Sequence, residues 1–81
     1  MTQTQILSRL RELLSETFEI DPARVTPEAD LYKDLDLDSI DAVDLAIKLQ
    51  EMTGKRIKPD EFRSVRTVGD VITAVDRLLA A

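Results

Sequence analysis

Ser39 stands inside the most acidic part of an 81-residue chain, where DLYKDLDLDSIDAVDLAIKLQ places Asp30, Asp34, Asp36, Asp38, Asp41 and Asp44 around a single serine. Alternating carboxylates such as Asp34, Asp36 and Asp38 open a calcium-binding loop, so a metal site is the first chemistry to weigh. With Asp34 as the first ligand, the sixth position must turn sharply and wants glycine but is Ser39, and the twelfth should be a bidentate glutamate but is Leu45. The pattern fails where the geometry is strictest. No specific metal site is expected, only loose association of divalent cations with an acidic patch. Nucleophilic catalysis fares no better: the chain has no histidine and no cysteine, which removes Ser-His-Asp and Cys-His machinery and the usual zinc ligand sets. Ser39 has no base to activate it. The expectation is a chain that is not an enzyme and whose chemistry uses a borrowed group.

Aspartates beside a helix start also serve the backbone. Asp38 can accept N–H bonds as an N-cap, and Asp41 and Asp44 can offset the positive end of the helix dipole, each contribution being worth ~0.5 to 1 kcal/mol. One or two acids suffice for that, which accounts for Asp38 and Asp41 and leaves the others unexplained. On a helical wheel Asp41, Asp44, Lys48 and Glu51 fall in a stripe of about 80°. Ala42, Leu45, Ala46, Leu49 and Met52 form an ordinary core face, while Ile40, Val43 and Ile47 add a second apolar ridge beside the acids. Two explanations fit: a central helix touched on several sides, or an apolar docking patch rimmed by carboxylates.

The net charge of −5 is unevenly spread. Glu28 to Glu51 carries eight acids against two bases, whereas Met52 to Arg66 carries five bases (Lys55, Arg56, Lys58, Arg63, Arg66) against two acids. Nucleic acid is not expected as a partner, since an acidic chain repels phosphates and the basic stretch holds one aromatic, Phe62, for bases to stack on. A protein with a basic face fits better. The first segment, MTQTQILSRLRELLSETF, interleaves arginine with leucine and lacks the apolar core of a signal peptide, and no apolar run has the length of a membrane span. A cytoplasmic monomer without membrane insertion is expected.

The elements that must position these residues are helical. Ile6, Leu10, Leu13, Leu14 and Phe18 follow amphipathic spacing over about Thr4 to Phe18. A long connection with two prolines follows, and Ile20, Val25, Leu31, Leu35 and Leu37 should pin it to the core. A second helix should start at Asp38 or Ser39 and stop at Gly54. Pro59 introduces a short helical piece around PDEFRS, and Thr67 with Asp70 caps a last helix whose stripe is Val68, Val71, Ile72, Val75, Leu78 and Leu79. The expected fold is all-α, three main helices plus one short helix, in a single domain over residues 1–81.

LDSID opening a helix, AVDLAIKLQ after it and TVGDVI opening the last helix resemble the acyl carrier proteins of fatty acid and polyketide synthesis, over essentially the whole chain. The resemblance implies a four-helix bundle and a covalent 4'-phosphopantetheine, taken from coenzyme A, on Ser39, with Asp38 beside it. A chain without cysteine can then carry thioesters, because the thiol belongs to the arm. The resemblance also implies that Asp38, Ile40, Asp41, Val43, Asp44, Ile47 and Glu51 form the face read by a phosphopantetheinyl transferase and by ketosynthase, ketoreductase, dehydratase and acyltransferase-type enzymes. Four features depart from the fatty-acid carriers: Ile40 stands where leucine is commoner, Lys48 interrupts the acidic stripe, Gln50 is neutral where those carriers tend to be acidic, and Lys55 to Arg66 is basic. GKRIKPDEFRSVRTVGD looks more like dedicated bacterial carriers of specialised pathways, such as aryl polyene clusters. Two alternatives are a peptidyl or aryl carrier of nonribosomal synthesis, which usually has a glycine-rich approach to the serine where this chain has LDLDS, and an unmodified helical interaction module.

Overall fold

The computed structural model describes residues 2–58, 62 and 64–80. Three helices organise them: α1 (Gln3–Phe18), α2 (Ser39–Thr53) and α3 (Val68–Ala80), with a single 3-10 turn at Pro22–Arg24. Helix α1 begins one residue earlier than its apolar periodicity indicates because Thr2 caps it. The Thr2 hydroxyl accepts the Gln5 N–H at 3.2 Å and the Gln5 side chain accepts the Thr2 N–H at 2.8 Å, satisfying two donors that a helix start would otherwise leave unpaired. The helix ends at Glu19 in the left-handed region (φ 57).

Helix α2 has the expected limits. Asp38 caps it and Gly54 ends it at φ 68, a conformation glycine adopts without a Cβ penalty. In α3, Thr67 and Asp70 form a reciprocal cap: the Thr67 hydroxyl accepts the Asp70 N–H, and Asp70 Oδ2 accepts the N–H groups of Thr67 and Arg66, all at 3.1 Å. The expected short helix around PDEFRS falls on Pro59, Asp60, Glu61 and Arg63, outside the described residues.

Ile6, Leu10 and Leu14 of α1, Leu45 and Leu49 of α2, and Val68, Val71 and Val75 of α3 are all but inaccessible. No polar or charged side chain is buried among the described residues. The connection between α1 and α2 is pinned as its apolar anchors indicate, since Ile20, Val25, Leu31, Leu35 and Leu37 are all buried. Arg11 Nε donates to the Val25 carbonyl at 2.9 Å, and the Arg24 guanidinium donates to the Asp34 carbonyl.

A short backbone pairing ties this connection to the start of α3. Leu31 N–H donates to the Arg66 carbonyl (2.8 Å), Val68 N–H to Ala29 (3.0 Å) and Gly69 N–H to Pro27 (2.9 Å), around an antiparallel bridge between Asp30 and Thr67. Glycine eases this approach, because a Cβ at position 69 would lie 3.0 Å from the Pro27 oxygen, tighter than most such contacts. Asp30 lies within the pairing and Asp70 beside it, and both carboxyls are held below the ordinary carboxylate value. The principal cause for Asp30 is the backbone N–H groups of Lys33 and Tyr32, and for Asp70 those of Arg66 and Thr67.

A carboxyl whose folded pKa is depressed contributes stability that is present above the unfolded value, about 3.9, and is lost as pH falls through the folded one. Urea midpoints measured across pH should therefore show Asp70→Ala clearly less stable than the parent near neutrality, with the gap closing once the pH falls below about 4. A gap that stayed constant across that range would mean the ionised carboxylate contributes nothing.

Candidate functional site around Ser39

Ser39 is the first residue of α2 and is exposed. The turn before it is built by the aspartates themselves. Asp30 Oδ1 accepts the N–H groups of Tyr32 (2.8 Å) and Lys33 (2.9 Å), while Asp34 Oδ2 accepts the Asp30 N–H at 2.7 Å. Asp36 lies in the left-handed region at φ 55, which among residues with side chains aspartate and asparagine tolerate best. Asp38 and Asp41 then form a reciprocal box: Asp38 Oδ1 accepts the Asp41 N–H at 2.8 Å and Asp41 Oδ2 accepts the Asp38 N–H at 3.2 Å. The aspartates that a helix cap alone does not explain are thus largely occupied in holding the approach to Ser39. A density of carboxylates that reads as surface charge is in good part local backbone chemistry.

Asp44 is exposed one turn beyond the box. Glu51 faces Lys48 across 3.9 Å with both side chains largely in solvent, a pair worth at most ~1 kcal/mol. The apolar ridge beside them is out in water: Ile40 is 72% exposed, Val43 60% and Ile47 45%. Of the two readings of this ridge, packing on several sides is therefore not what the fold does. Helix α2 buries Ala42, Leu45 and Leu49 and presents Ile40, Val43 and Ile47 outward, beside Asp44. Among the basic residues, Lys55, Arg56, Lys58 and Arg66 are exposed; Arg63 lies outside the described residues.

Periodicity did not indicate a groove of about 410 Å³ opening beside Ser39, whose lining includes Tyr32, Ala42, Ala46, Ile57 and Phe62. Ala42 and Ala46, one turn apart on α2, give it a shallow floor. Ile57 and Phe62, both buried, form its far wall. The signal available in the sequence was the pair of apolar residues isolated within the basic run KRIKPDEFR, which have no charged role and must pack somewhere. Two of the three aromatic residues in the chain line this groove. No group of three or more histidine, cysteine, aspartate or glutamate side chains is arranged to hold a metal ion among the described residues.

The comparisons with known proteins bear on this geometry. The family profile described as "Phosphopantetheine attachment site" matches residues 8–75. The chain is 75% identical to Acyl carrier protein 2 of Ralstonia nicotianae over the full length of both. It is 35% identical to the meromycolate extension acyl carrier protein of Mycobacterium leprae, covering 96% of this chain and 68% of that one. Among solved structures it superposes on an acyl carrier protein from Thermotoga maritima with a TM-score of 0.86 at 29% identity, over 96% of this chain and 91% of that one. An all-helical fold with a serine at the start of α2 belongs with these matches: the chain is a member of the phosphopantetheine-attachment family, an all-α, non-catalytic acyl carrier protein that bears its cargo on a covalent 4'-phosphopantetheine.

Proposed function

We propose that the arm is attached at Ser39, and that the chain, a single domain acting as a cytoplasmic monomer, uses it to pass acyl thioesters between enzymes of a specialised fatty-acid or polyketide-type pathway. The observation that carries the attachment site is the exposed hydroxyl at the first position of a capped helix. The Asp38–Asp41 box takes up the N–H groups of Asp38 and Asp41. Those of Ser39 and Ile40 have no acceptor among the described residues and can serve a phosphodiester at the positive end of the helix dipole.

Ser39 Oγ would displace adenosine bisphosphate from coenzyme A, forming one phosphodiester bond as the pyrophosphate bond breaks, with its proton passing to a base of the transferase. Once attached, the arm supplies the thiol that the sequence lacks. The chain's own residues then orient and shelter what the thiol carries. The groove beside Ser39 suits an apolar acyl tail, since Ala42, Ala46, Ile57 and Phe62 offer it no buried polar competitor.

Partner enzymes are of two kinds, a phosphopantetheinyl transferase and synthase-type enzymes. We assign their common landing face to Asp38, Ile40, Asp41, Val43, Asp44, Ile47 and Glu51, and the synthase partners to ketosynthase, ketoreductase, dehydratase and acyltransferase types. An exposed apolar ridge rimmed by carboxylates supports this, because attraction speeds encounter while a small apolar contact leaves the complex weak enough to release. The exposed cations Lys55, Arg56, Lys58 and Arg66 support a dedicated set of partners. The mycobacterial relatives are themselves named for one elongation task, meromycolate extension.

Ser39→Ala should keep the helical circular dichroism of the parent and gain no mass on incubation with coenzyme A and a transferase; any phosphopantetheine adduct in that variant removes the assignment. Partner electrostatics are better probed at Asp44 than at Asp41, because Asp41 also holds the helix cap. Asp44→Lys should slow modification several-fold through the encounter rate, with the loss shrinking as salt rises. Arg56→Glu with Arg66→Glu should leave modification unchanged and lower turnover with a cognate synthase enzyme. Equal cognate turnover before and after that double change would leave the basic segment with no part in partner choice.

A further inference from the structure

Gln50 closes the exit of α2 with both of its carbonyl oxygens. Its backbone oxygen accepts the Gly54 N–H at 2.8 Å and so ends the helix. Its side-chain Oε1 accepts the Ile57 N–H, also at 2.8 Å, in a partly buried bond that reaches seven residues along the chain. Among the described residues this is the only hydrogen bond joining α2 to residues 56–58. Gln50 and Ile57 both line the groove beside Ser39, and Phe62 continues the wall that Ile57 begins. The bond therefore joins the helix that carries the floor of the groove to Ile57 of its wall.

We propose that Gln50 is a positioning residue that sets the width of the groove and, with it, how firmly an acyl tail is held; this rests on the assignment of Ser39 as the attachment point and of the groove as the place for the tail. A tail lodged in the groove leaves it as Ile57 and Phe62 move away from α2, and the Gln50–Ile57 bond must open for that to happen. Delivery to a partner enzyme draws on the same movement. The Ile57 N–H is partly buried, so losing its acceptor leaves it short of water as well as of protein, and the closed wall is favoured by the net worth of one such bond. Only an acceptor is needed at this position. A glutamate reproduces it, whereas a leucine of similar size does not.

The test compares thioester cleavage by hydroxylamine in the holo chain loaded with acetyl or octanoyl groups. Octanoyl should be cleaved more slowly than acetyl in the parent, because its tail draws the thioester toward the groove. Gln50→Leu should speed octanoyl cleavage about three- to ten-fold while leaving acetyl unchanged, as expected from one hydrogen bond. Gln50→Glu should restore the slow rate. Hydrogen exchange of the Ile57 amide should accelerate by a similar factor in Gln50→Leu and not in Gln50→Glu. Octanoyl cleavage at the parent rate in Gln50→Leu, or equal behaviour of the leucine and glutamate variants, would overturn the latch. Failure of the parent chain to gain the arm would instead overturn the Ser39 assignment, and octanoyl cleaved as fast as acetyl in the parent would overturn the groove.

Discussion

The backbone pairing of residues 27–31 with residues 66–69 is the constraint on which the rest of the molecule hangs. Between α1 and α2 the only helical element is a 3-10 turn at Pro22–Arg24, and ordering so much irregular backbone costs roughly 1 to 2 kcal/mol per residue in lost freedom. The buried anchors Val25, Leu31, Leu35 and Leu37 offset part of that cost. Apolar burial fixes depth in the core, however, and does not fix where along α3 the connection must lie. The three hydrogen bonds to Arg66, Ala29 and Pro27 carbonyls do. They determine where Leu37 arrives and where Asp38 can begin α2, and so where Ser39 is presented. Gly69 belongs to the same constraint, since its missing Cβ eases the approach of the Pro27 carbonyl.

Once the connection is held there, the aspartates divide by task. Asp30 and Asp34 close the turn, Asp36 takes a left-handed backbone in place of a glycine, and Asp38 and Asp41 cap α2. Substituting charge for glycine at Asp36 has a physical consequence: an aspartate there restricts the unfolded chain more than glycine would, at the cost of a strained φ in the folded one. The same short stretch thus reconciles local backbone order with an acidic surface. Residues such as Asp38 and Asp41 serve both, which is why charge reversal at a cap cannot separate recognition from folding.

Much of this was legible in the sequence because it rests on local rules. The Thr67 and Asp70 cap, the start of α2 after Asp38 and its end at Gly54 follow from caps and glycine conformations that need only neighbours along the chain. The inward faces of α1 and α3 follow from their periodicity. The outward ridge of α2 was left open between two readings, because Ile40, Val43 and Ile47 are as apolar as any core residues and only the tertiary arrangement leaves them at 72%, 60% and 45% exposure. The groove was hidden for the same reason. Tyr32, Gln50, Ile57 and Phe62 come from three separate parts of the chain, and neither the bond from Gln50 to Ile57 nor the pairing of Leu31 with Arg66 has a periodic signature. Long-range backbone contacts between irregular segments are what sequence patterns record least.

The outward ridge also separates what folding requires from what exchange between enzymes requires. Each fully buried side chain of this size contributes about 1.5 to 3 kcal/mol relative to exposure, and a domain this small has little stability to spare. Turning one polar residue into Ile40 or Val43 at the surface gains nothing for the fold and adds a route to association. The neighbouring carboxylates of Asp44 and Glu51 limit that route, because two copies meeting ridge to ridge would bring like charges together, whereas a partner with cations around an apolar dimple would not. Under the proposed partner face, such charge around an apolar ridge opposes self-association and favours a cationic partner, on the same α2 helix whose first residue is Ser39.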